Sequence, residues 1–176
     1  MASRYPQAYV DYLVHFHGDR DYFECHELLE QYWKEHPNSV YRVTWVGLIQ
    51  AAVGMYHYRR GNIPGAVKSL TNSLRNCDKG HLRDLGIEAG LWLERLEGVR
   101  AKLQASPSAS YQDIDIPLAD AQLVERCERR CAELGFRWCG PSELDRDELV
   151  HRHTLRDRTD VIAERLKALE LRSGGR

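Results

Sequence analysis

The stretch Tyr22-Phe-Glu-Cys-His-Glu-Leu-Leu-Glu-Gln-Tyr-Trp33 decides how the chain is read. Laid on a helix at about 100° per residue, it gathers Tyr22, Cys25, His26, Leu28, Leu29, Tyr32 and Trp33 on one broad face. Glu24, Glu27, Gln31, Lys34 and Glu35 fall opposite, on a solvated face. His26 and Glu30 break the pattern, because both project from the apolar side. They are four residues apart, so their side chains meet one turn from each other. A carboxylate turned toward a core is costly unless it is paired, hydrogen-bonded or bound to metal. The pair therefore allows several chemistries: a divalent-metal site, a buried hydrogen-bonded cluster with Trp33 as its cover, or a pocket for another ligand.

Outward from this helix, the chain reads as all-α. Tyr5, Tyr12, Leu13 and Phe16 are spaced for a preceding helix that Gly18 closes, and Asp19 or Asp21 can cap the next one, which stops before Pro37. Asn38-Ser39 starts a third helix, roughly 40–60, with no charge between Arg42 and Arg59. Apolar residues run nearly all round it, so it is expected at the centre. Gly47, Gln50, Gly54 and His57 share one of its faces, and small residues there invite another helix to approach closely. The expectation is that this face meets His26 and Glu30, with Gln50 and His57 completing their shell and Tyr22 and Trp33 lining the site. Gly61-Asn62 followed by Pro64 is a stop, a cap and a first turn, which makes the third and fourth helices an antiparallel hairpin. Ala66, Val67, Leu70 and Leu74 give the fourth helix its buried stripe, and a fifth is expected over 82–103.

The resulting expectation is an antiparallel bundle of about five helices over 1–104. A Ser/Pro-rich linker follows at 105–117, extended from Asp113 to Pro117, and then a helical C-terminal extension over 118–176. In that extension a helix is expected over 118–134, then a turn at Gly135–Pro141, then one or two charged helices ending near Leu171, with Ser142-x-x-Asp145 and Thr159 as capping signals.

His26-x-x-x-Glu30-x-x-Trp33 resembles the HxxxExxW signature of a bacterial and archaeal family known as domain of unknown function 309. The run Gln50–His57 and the turn Arg60-Gly-Asn-x-x-Gly-Ala66 are similar to that family as well, and the likeness covers residues 10–105. It implies an all-helical fold. It also implies metal binding through the motif, and the helix faces read above make His26, Glu30 and His57 the candidate ligands. It implies no established activity.

Composition narrows the classes. The formal net charge is −1, and residues from Leu118 onward carry twelve basic against twelve acidic side chains. Nucleic-acid and anionic-membrane binders carry a basic excess, so neither partner is expected. There is no apolar run long enough to span a bilayer and no signal-peptide core, and five cysteines read as reduced thiols, so the expected location is the cytoplasm. Cys25 and Cys77 fit core positions. Cys127, Cys131 and Cys139 with His151 and His153 would form a zinc site only with unusual spacing. His15 and His17 end a helix, where cations favour the dipole.

His26-Glu27-Leu-Leu-Glu30 also resembles half of a His-Glu-x-x-His zinc-hydrolase motif, which makes a metal-dependent hydrolase one alternative. The second histidine is missing, however, and Glu27 falls on the solvated face. The remaining reading is a non-enzymatic interaction module, with a protein partner or self-association.

Overall fold

The computed structural model describes residues 3–151. The fold is all-α: α1 Gln7–His17, α2 Tyr22–Glu35, α3 Arg42–Arg59, α4 Ile63–Asn76, α5 Lys79–Asp84, α6 Ala89–Ala105, α7 Ala121–Leu134 and the single turn α8 Asp147–Val150. Among the described residues the nearest thing to a strand is one antiparallel bridge between Ile87 and Leu118. None of the described helices is long and apolar enough to cross a membrane.

The local signals act as their chemistry demands. Asp21 caps α2 by accepting from the Glu24 amide at 3.1 Å, while Asp19 accepts from Asp21. Gly61 takes φ +83°, and Asn62 caps α4 through the Gly65 amide, with Pro64 in the first turn. Most of α3 is buried, with Trp45, Leu48, Ala51, Ala52 and Met55 essentially inaccessible. It packs on α2 on one side and α4 on the other.

The expected fifth helix is two. Asp78 caps a six-residue α5, and the chain then breaks at Gly86, whose φ is +76° and whose absent side chain leaves room for the Tyr5 hydroxyl. The break lets residues 86–88 pair with the extended stretch ahead of α7: Glu88 N–H donates to Pro117 at 2.8 Å, and Ala119 N–H to Gly86 at 2.8 Å. The bundle thus has six helices up to residue 105 rather than five.

α7, capped by Asp120, lies on α1 and buries Leu123, Cys127 and Cys131. Arg126 fastens it by donating to the Tyr5 carbonyl at 3.0 Å. Ser142 does not cap a helix as its spacing suggested. Its hydroxyl donates to Asp113 instead, and α8 starts at Asp147 with no side-chain cap. The expected charged helices beyond residue 151, with Thr159 and His153, lie outside the described residues.

Candidate functional site

α2 and α3 run antiparallel, so the start of α2 meets the end of α3. There Tyr22, Phe23 and His26 face Val53, Tyr56 and His57 across a cleft of about 190 Å³. The Phe23 ring lies 6.2 Å from both His26 and Tyr56, and Tyr56 lies 5.9 Å from His57. The cleft has an apolar floor with an imidazole on either wall.

His26 is oriented by Glu30: its Nε2 stands 2.9 Å from one carboxylate oxygen, and Lys34 Nζ is 3.1 Å from the other. Glu27 approaches the remaining ring nitrogen at 3.4 Å. Both His26 and Glu30 keep 31% of their side-chain surface, so Glu30 is a half-exposed ion-pair partner and not the buried carboxylate its helical position suggested. At the far end of the motif, Trp33 lies under the Arg42 guanidinium, 4.9 Å from the ring centroid. Its buried indole N–H has no hydrogen-bond partner among the described residues. Burial, aided by the nearby Arg60, holds the His57 imidazole below its ordinary range. Its Nδ1 is 3.2 Å from the Asn62 amide.

The expected seam between His26/Glu30 and the Gly47/Gln50/Gly54/His57 face is not formed. A side chain added at Gly47 would meet Cys77 Sγ at 2.6 Å, and one at Gly54 would meet Leu70 at 2.8 Å, so the small residues admit α4 and not α2. Gln50 turns the same way and accepts from Asn76 at 2.8 Å. Of the four, only His57 reaches the cleft. Among the described residues no three His, Cys, Asp or Glu side chains converge as a metal site requires. That holds for His26, Glu30 and His57 and for Cys127, Cys131, Cys139 and His151. Cys127 and Cys131 are buried, and Cys139 is exposed.

Beneath the cleft lies a polar network that spacing does not announce. The Tyr22 hydroxyl is 2.7 Å from that of Tyr111, which donates to Asp113 at 2.5 Å, and Ser142 gives Asp113 both its hydroxyl and its amide. Burial works against the Asp113 charge, but the bonds from Ser142 and Tyr111 prevail and hold the carboxyl below its ordinary range.

Two buried arginines complete the network. Arg20, at φ +57°, donates to Gly140 O, Ile114 O and Asp115. Arg59 stacks over the Tyr22 ring at 4.6 Å and donates to Arg20 O and Leu149 O. His17 is equally hidden and is not the charged dipole partner that its place at a helix end suggested. Its Nε2 accepts the Ile116 amide at 2.8 Å while Nδ1 donates to Leu13 O. The only earlier hint of this network was charge or polarity inside otherwise apolar stretches.

These features define a helical protein with a half-exposed His/Glu/Trp stripe beside a side-chain-sized cleft, held from below by an arginine network. The model of the domain of unknown function DUF309 matches residues 9–69. The uncharacterized protein YpuF of Bacillus subtilis (strain 168) is 45% identical over 174 residues, covering 98% of this chain and 99% of that one. The chain belongs to the DUF309 family. No solved structure matches it.

Proposed function

We propose that this chain is a non-enzymatic protein-binding module that seats an apolar anchor of its partner in the His26/His57 cleft. The observation that carries the reading is the cleft itself. Small-molecule sites run to about 300–1,000 Å³ and enclose their ligand. A cleft of about 190 Å³ between two helices suits one inserted side chain. The ion pairs His26–Glu30 and Glu30–Lys34 keep the α2 wall rigid without consuming the apolar floor. They supply two metal donors, and among the described residues no third joins them, which favours this reading over the metal and hydrolase alternatives. The glutamates of α2 set the flanking chemistry: Glu24, Glu27, Glu30 and Glu35 against Lys34 favour basic residues beside the anchor.

The test places the photocrosslinker benzoylphenylalanine at half-exposed Val53, and at exposed Leu91 on α6 as a control, in the protein's own cells. A discrete adduct with a second protein is expected at position 53 and not at 91. Equal labelling at both positions, no adduct at 53, or stoichiometric metal in the purified untagged protein overturns the reading.

A further inference from the structure

Among the described residues, α3 leaves one seam uncovered. From Val43 to His57 only Val43, Val46, Gln50, Val53 and His57 escape burial. Their spacing alternates three and four, the a/d pattern by which helices pair in coiled coils, with Gln50 as a polar residue at an a position. The seam covers about 80° of a helical projection, and no lysine, arginine, aspartate or glutamate interrupts it. The α4 wall beside it is short and uncharged. Asn76 donates to Gln50 at 2.8 Å and Asn62 lies 3.2 Å from His57 Nδ1, with Gly65, Ser69 and Asn72 between them at helical spacing.

The seam has a knob at one end and a hole at the other. Val43 is 55% exposed, while the cleft lined by Val53 takes one side chain. Ten residues separate the two, about 15 Å along the helix. Charge divides the same way, since Trp33 under Arg42 marks one end and Phe23 beside Tyr56 the other. The Val43 end carries Lys34 and Arg42 against Glu35, and the cleft end carries Glu24 and Glu27 against Arg60. A face that is knobbed and basic at one end, hollow and acidic at the other, is complementary to itself turned end for end. The seam is about 21 Å long, and three helices at interaxial spacings of about 8–10 Å make a face about 26–30 Å wide. Two copies face to face would cover about 1,100–1,250 Å² in all, above the roughly 1,000 Å² that a specific interface needs.

We infer that the partner seated in the cleft is a second copy of this chain. The two α3 helices pair antiparallel about a two-fold axis near residue 48. Val43 of each copy then stands over Val53 of the other and enters its cleft, with Arg42 beside it as the basic neighbour, and Val46 lies opposite Gln50. The inference rests on reading the cleft as a docking site and names the partner that the reading calls for.

The experiment uses the full chain, purified without a tag. Light scattering should return twice the chain mass. Val43→Lys, at an exposed position where the fold is not at stake, should return the mass of one chain with an unchanged circular dichroism spectrum. Benzoylphenylalanine at Val43 should give an adduct of two-chain mass on irradiation, mapped by mass spectrometry to residues 22–26 or 53–57. Its yield should fall at least fivefold with Val53→Lys. A single-chain mass at the highest concentration reached, a dimer that Val43→Lys leaves intact, or adducts mapped to another face overturns the inference. A single-chain mass together with Val53 labelling of a different protein in cells removes this inference alone. Absence of Val53 labelling in cells removes the reading beneath it.

Discussion

Acidification should loosen this protein through one buried imidazole. His17 is inaccessible, and its bond from the Ile116 amide requires an unprotonated Nε2. Burial, with a smaller push from the neighbouring Arg20, lowers its pKa from an ordinary 6.5 to about 4. Above pH 6.5 the ring is neutral both folded and unfolded, and its contribution is fully present. Between 6.5 and 4 the unfolded chain takes up a proton that the folded chain refuses, so stability falls as pH falls. Below about 4 the loss is complete. The gap is worth about 3 kcal/mol, a sizeable share of the roughly 5–15 kcal/mol that holds a domain together.

His15 acts in the opposite sense. Burial opposes its charge, but the Asp19 carboxylate prevails and raises its pKa, so its contribution is present at low pH and is lost as pH rises. The assay is urea denaturation from pH 7.5 to 4, comparing the wild type with His17→Gln. Glutamine can accept from Ile116 and donate to Leu13 without titrating. The variant should be weaker at pH 7.5 by about 1–2 kcal/mol for the altered packing and should have a clearly flatter pH profile. Parallel profiles for the two proteins would refute the reasoning.

Further outcomes follow from packing and pairing. Gly54→Ala should cost about 1–3 kcal/mol, because the new methyl meets Leu70 at 2.8 Å, whereas Gly98→Ala, in open space on α6, should gain about 0.5–1 kcal/mol; thermal unfolding checks both. Asp113→Ala strands the Tyr111 and Ser142 donors and should cost about 2–3 kcal/mol, with faster hydrogen exchange confined first to residues 141–151. His26→Ala breaks a half-exposed pair and should change stability by less than about 1 kcal/mol, so an effect of several kcal/mol in chemical denaturation would mean that the motif serves the fold.

Much of the bundle is legible locally, since caps, stops and stripes are short-range. Asp21, Gly61-Asn62 and the uncharged run of α3 needed no knowledge of neighbours. The site was harder for a physical reason: a helix face states that something comes close and does not say what. The Gly47/Gly54 stripe predicts a close approach, and α4, joined to α3 by a tight turn, takes it. Leu85, Trp92, Leu96 and Val99 carry helix-like spacing across Gly86, so the break there is invisible until Leu118 arrives to pair with Ile87. Nothing in the sequence marks Arg20 and Arg59 as buried, since arginine is usually solvated and their acceptors are mostly backbone carbonyls, which leave no trace in residue identity.

Those carbonyls also set an order of events during synthesis. Arg20 is made 120 positions before Gly140, whose carbonyl it needs, an interval of about 6–24 s at 5–20 residues per second. Throughout that time the nascent bundle carries two arginines bound for the interior with few of their final acceptors yet made, and Arg20 must later hold a left-handed backbone costing about 1–2 kcal/mol. The early helices can form on the ribosome, but they cannot close. Ribosome-bound chains stalled before residue 140 should therefore remain open to protease at α1–α2, and those stalled with residue 150 clear of the exit tunnel should resist.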